Sequence, residues 1–147
     1  MAGSKRTAAA KWQGDLLSGN GTVRPGSSAF GELPVDWRAR TEGSQTVTSP
    51  EELIAAAHAS CYAMAFSNTL AQAGHTPESV DVAATVTFAP NPAGGFRVES
   101  SALSVTGRVP GLTQEQFADF ARQGDQGCPV SNALRGNVEI TVEANLA

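Results

Sequence analysis

The chemistry open to this chain concentrates in its two thiols, Cys61 and Cys128. Pro129 suits the first position of a helix, so Cys128 falls at the cap of a short helix over 128–134. Its sulfur then faces unpaired backbone amides and a partial positive charge, which favour the reactive thiolate. A plain buried cap is the alternative, because free cysteine is commonly buried as a small hydrophobe. Cys61 sits in the middle of an Ala-rich helical stretch and has no activation of its own, so taken alone it reads as core packing. A cation and an acid would change that, and Arg38, Arg40 and Glu51 precede it closely. Arginine stays charged when buried, lowers the pKa of a nearby thiol and can hold a peroxide oxygen; a glutamate would orient it.

Geometry complicates that grouping. Ten residues of one straight helix rise about 15 Å and turn two side chains roughly 80° apart, so Glu51 and Cys61 cannot touch within it. Either the helix breaks near Ala55 to Ala57, an arginine spans part of the gap, or residues come from a second subunit. Metal binding competes for the same residues, since His58 and Cys61 share a helical face and could join Cys128 and His75 around zinc. No Cys-x-x-Cys or His-x-x-x-His pair supports it, and a cap-like place just past a helix end suits His75 better. No Gly-x-Ser-x-Gly elbow, P-loop or Gly-x-Gly-x-x-Gly turn follows a strand, which disfavours a serine hydrolase and nucleotide binding.

The element that must position Cys61 runs from Ser49 to Gly74. Ser49 can cap it, Pro50 suits its first turn, Glu51 and Glu52 favour the positive end of its dipole, and Gly74 offers a left-handed stop. Leu53, Ala57, Cys61 and Ala65 recur at four-residue spacing as the expected core face, widened by Ile54, Met64 and Phe66. Before the helix, short runs around an Asn20-Gly21 turn predict a hairpin ended by Pro25-Gly26. Pro34 to Thr41 alternates loosely as a third strand with Arg38 and Arg40 on one face. After the helix, Val80 to Phe88 and Phe96 to Val109 predict a second hairpin across Pro90 to Gly95. Thr113 with Gln116 forms a capping box for a helix reaching about Gln123, and Phe117, Phe120 and Ala121 supply its apolar face. The Cys128 helix ends at Gly136, and a last alternating strand covers Asn137 to Asn145. Strand and helix runs in that order predict an α+β fold.

Composition bounds the function. With 147 residues, 41% of them hydrophobic, the chain is expected to form a single domain over 1–147. It can bury on the order of two-thirds of its unfolded surface. A net charge of −4, from 14 acidic and 10 scattered basic residues, leaves no electrostatic footprint for nucleic acid or an anionic membrane. No apolar run reaches a bilayer span, and Met1 to Arg6 carries basic residues without a following apolar segment, so a cytoplasmic location is expected. Two cysteines in that compartment are more often free thiols, a metal pair or a redox pair than a structural staple.

The stretches Ser49 to Tyr62, Gly127-Cys128-Pro129-Val130-Ser131, Arg40-Thr41-Glu42-Gly43 and Val109-Pro110-Gly111-Leu112, with the opening Lys11-Trp12-Gln13-Gly14-Asp15, resemble the OsmC/Ohr family of organic hydroperoxide peroxidases, in its OsmC branch. The resemblance implies an OsmC-like fold of antiparallel sheets around a long central helix, in an intertwined homodimer with two active sites at its interface. It also implies Cys61 as the peroxidatic and Cys128 as the resolving cysteine, with Arg40 as the activating arginine and Glu51 as its acid. Cys61 would become a sulfenic acid, Cys128 would close a disulfide on it, and a dithiol, with lipoyl groups as the suggested donor, would reduce that disulfide in oxidative and osmotic stress defence. No metal, haem or flavin is implied. A non-catalytic ligand-binding protein of the same fold and a zinc-bound structural protein are the rival readings. Met64, Phe66, Phe117 and Phe120 are expected either to line an alkyl-binding pocket or to pack as core.

Overall fold

The computed structural model describes residues 1–147, which form two compact units, Met1–Pro50 and Glu51–Ala147. The first unit is a three-stranded antiparallel sheet in the order β1 (Ala8–Gln13), β2 (Asn20–Pro25), β3 (Leu33–Val35), followed by a short helix α1 (Trp37–Glu42). The hairpin turn lies at 14–19 and not at Asn20-Gly21, which begin β2. Asp15 builds it by accepting the Leu17 and Ser18 backbone amides at 2.9 and 2.8 Å, which outweighs the Asn-Gly signal.

The third strand is much shorter than its alternation suggests. Asp36 stops it by accepting the Ala39 backbone amide at 2.6 Å, an N-cap that turns 37–42 into α1. Arg38 and Arg40 therefore do not share a strand face. Two residues along a helix point about 200° apart.

The helix α2 (Pro50–Gln72), which belongs to the second unit from Glu51 onward, runs unbroken for 23 residues, and Gly74 ends it at φ +86°. The hairpin of β4 (Ser79–Pro90) and β5 (Phe96–Arg108) is antiparallel, with a bulge between Thr87 and Phe88. The helices α3 (Gln114–Gln126) and α4 (Pro129–Leu134) then return the chain to β6 (Glu139–Leu146), which pairs with β5 in parallel. The α+β class of the sequence is found, and this second sheet is mixed. The Thr113–Gln116 capping box is present, and α3 runs one turn further than Gln123.

The core of this unit joins Tyr62, Phe66 and Leu70 of α2 to Leu103 and Val105 of β5 and to Phe117 and Ala121 of α3. The buried face of α2 is thus His58, Tyr62, Phe66 and Leu70, one residue on from the expected series. Ala57 is exposed and Met64 is 69% exposed, because the large rings, not the alanines, fill the space against the sheet. Two glycines permit the fit. A Cβ on Gly107 would lie 2.5 Å from the Phe117 ring, and one on Gly124 would lie 3.1 Å from Phe66.

Candidate active site

Cys61 and Cys128 come together although 67 positions separate them in the chain. The thiol of Cys61, half-buried on α2, is within hydrogen-bonding range of the fully buried Cys128 sulfur, and both are free thiols. As the sequence implies, Cys128 is the N-cap of α4 with Pro129 in the first turn, and its sulfur accepts the Ser131 backbone amide at 3.4 Å. The preceding amide of that turn, from Val130, is directed at the Cys61 sulfur. Burial pushes the Cys61 thiol above its ordinary pKa; the Val130 amide opposes this, and the neighbouring Cys128 adds to the upward push. Within this unit, then, Cys61 is placed beside a partner thiol but is not activated.

Glu51 is buried in the first turn of α2. Because the helix does not break at Ala55 to Ala57, the ten-residue separation from Cys61 stands at about 15 Å. Arg40 lies in the last turn of α1, in the first unit. There it lines a cavity of about 350 Å³ with Trp12, Leu16, Val35, Asp36, Trp37 and Pro50, a guanidinium set among apolar walls. Arg38 points elsewhere and ion-pairs with Glu42 at 2.8 Å in an exposed i,i+4 bridge, which raises its pKa further.

Sequence reasoning missed the part played by His58. Its ring is fully buried, with Nδ1 2.6 Å from Ser101 Oγ on β5 and Nε2 2.8 Å from Ser131 Oγ on α4. Both nitrogens are occupied by serines, so they are not offered to a metal. Burial lowers the pKa of the ring, Asp125 raises it and Arg135 lowers it. The available signal was a polar residue amid alanines; its partners, 43 and 73 residues away, had none. His75 caps as expected, its amide bonded to the Leu70 carbonyl at 2.9 Å, and its ring stands 5.8 Å from Phe120. Phe66 and Phe117 meet edge-on at 5.2 Å inside the core, so they do not line a pocket.

A family model described as OsmC-like protein matches residues 43–143, a span holding both cysteines and the whole of the second unit up to β6. The chain belongs to the OsmC family. Peroxiredoxin OsmC of Escherichia coli strain K12 is 40% identical over 137 residues, covering 93% of each chain. The organic hydroperoxide resistance protein of Xanthomonas axonopodis pv. citri is 32% identical over 96 residues, 65% of each. Among solved structures, an organic hydroperoxide resistance protein from Elizabethkingia anophelis matches with a TM-score of 0.77 at 28% identity, covering 98% of this chain and 99% of that one. The OsmC-like fold inferred from sequence is therefore found. No helix is long and apolar enough to cross a membrane.

Proposed function

We propose that this chain is a thiol peroxidase that reduces organic hydroperoxides to alcohols in stress defence. The observation that carries the reading is the pairing of Cys61 with Cys128, a mid-helix thiol facing a cap thiol at hydrogen-bonding range. The names of the family relatives, a peroxiredoxin and organic hydroperoxide resistance proteins, point the same way.

Cys61 is the peroxidatic residue. Its thiolate attacks the terminal oxygen of the hydroperoxide, the O–O bond breaks, and the alkoxide takes a proton and leaves as alcohol. The sulfur is then a sulfenic acid. Cys128 attacks that sulfur, the S–S bond forms, and the oxygen departs as water. A dithiol, for which lipoyl groups are the suggested source, restores both thiols by exchange.

Burial and Cys128 both push the Cys61 pKa upward, so the first step needs a cation to recover the thiolate. Arg40 supplies it in this reading, and Glu51 orients Arg40. The ion pair of Arg38 with Glu42, through Nε and Oε2 at 2.8 Å, engages Arg38 elsewhere and favours Arg40 for the role. We place the active unit in a homodimer, supported by the exposed Ala56, Ala57 and Met64 along α2, an apolar surface that a second copy would cover. The cytoplasm, which keeps thiols reduced, is the compartment that suits the cycle.

Turnover of cumene hydroperoxide with a dithiol as reductant tests the proposal. Wild type should turn over, Cys61→Ser should be inactive, and Cys128→Ser should stop after one equivalent. An inert wild type with two freely titrating thiols would leave a ligand-binding role for the fold instead.

A further inference from the structure

A polar ring has no packing reason to occupy the core face of α2. The neighbouring positions of that face are Tyr62, Phe66 and Leu70, and an aliphatic side chain would fill the place of His58 without desolvating two nitrogens. What an aliphatic residue could not do is bridge. His58 Nδ1 meets Ser101 Oγ of β5 at 2.6 Å, and Nε2 meets Ser131 Oγ of α4 at 2.8 Å, with all three residues buried. The ring thus ties a short helix of six residues to both the long helix and the central strand of the sheet.

The far end of that tie is the cysteine pair. Ser131 takes the imidazole with its hydroxyl and gives its backbone amide to Cys128 Sγ at 3.4 Å, while the preceding amide, of Val130, is directed at Cys61. His58 in turn lies one helical turn before Cys61 on α2. The residues form a closed circuit: Cys61 to His58 along α2, His58 to Ser131 across the core, Ser131 to Cys128 around the first turn of α4, and Cys128 back to Cys61.

We propose that His58 is a positioning residue for the resolving step, holding Cys128 against Cys61 through Ser131. The inference rests on the peroxidase reading and adds to it a residue that touches neither the peroxide nor a reacting sulfur. Of the two sulfurs, hydroperoxide attack uses only that of Cys61, and the place of α4 enters this step only through the Val130 amide and Cys128, whose effects on the Cys61 thiol oppose each other. Disulfide closure requires the second sulfur in line with the first, and a misplacement of about 1 Å in such a step can cost on the order of a hundredfold in rate. The two steps should therefore respond differently to loss of the imidazole.

The test follows both steps in the full chain after one equivalent of cumene hydroperoxide, with the sulfenic acid trapped by dimedone and the disulfide measured by mass spectrometry. In His58→Ala, Cys61 oxidation should stay within about twofold of wild type while disulfide closure slows by at least about tenfold, and dimedone adduct should accumulate. His58→Gln, which can again present a donor and an acceptor, should recover part of the closure rate. Should His58→Ala fail to fold, Ser131→Ala removes one hydroxyl and should show the same split. Disulfide closure at the wild-type rate, or equal slowing of both steps, overturns the proposal. Diamide separates the two readings: it closes the Cys61–Cys128 disulfide without peroxide, so the effect of His58 remains measurable even where wild type proves inert to hydroperoxide.

Discussion

The Tyr62 hydroxyl donates a hydrogen bond of 2.8 Å to the carbonyl of Ala121, joining the middle of α2 to α3 from inside the core. Tyr62, fully buried, also leans on Phe66 with ring centroids 5.7 Å apart. The phenol stays neutral because burial pushes its pKa up. Removing only the hydroxyl keeps the ring and the helix carbonyl's own α-helical partner. Tyr62→Phe should therefore cost about 1 kcal/mol, roughly 2–4 °C in Tm for a chain of this size, read by calorimetry. A larger loss would mean that the hydroxyl does more than link the helices.

The upward push on the Cys61 pKa comes first from burial and then from Cys128, against the Val130 amide. Deleting the partner thiol removes one of the two upward causes. In Cys128→Ala, the pH midpoint for alkylation of Cys61 by iodoacetamide should move down relative to wild type. In Arg40→Met it should move up, since a lost cation disfavours the thiolate. An Arg40→Met midpoint equal to that of wild type would remove Arg40 from the activating role.

What was legible in the sequence was what is local. Pro50, Gly74, the Thr113–Gln116 box and Cys128-Pro129 fix helix ends within a few residues, and each lies where the sequence puts it. Alternation found the long strands for the same reason. It failed at 37–42, where a single capping carboxylate on Asp36 outweighs a weak two-residue period. It could not reveal that β6 would join β5 in parallel, because pairing partners leave no trace in a strand's own pattern. For the site, Cys128 was legible through its cap. The Cys61–Cys128 pairing came only through family resemblance, and the His58 bridge spans distances in sequence that no local motif encodes.

His58 also gives acid sensitivity a definite sign. Its folded-state pKa is lowered by burial, with Asp125 opposing and Arg135 reinforcing. Around and below pH 6.5, the ordinary value for histidine, the unfolded chain binds a proton that the folded chain refuses. The stability contribution is thus present above that pH and is lost as pH falls through the folded value. Urea midpoints at pH 7.5 and 5.5 should drop on acidification in wild type and drop less in His58→Gln, whose amide does not titrate. Equal drops would assign the acid sensitivity to the carboxylates.

Gly107 is the point where α3 is allowed to reach the sheet. A methyl group there would stand 2.5 Å from the ring of Phe117, with the strand backbone behind it and a buried aromatic in front. Neither can yield freely in a packed core, so Gly107→Ala should destabilise the fold by about 1–3 kcal/mol. The cause is mutual volume, which gives the effect a signature beyond its size. In a Phe117→Leu background the ring is already gone, and adding Gly107→Ala should cost much less than it does in wild type, a positive coupling in a double-mutant cycle. Simple additivity would show that the glycine is needed for its backbone and not for the approach of Phe117.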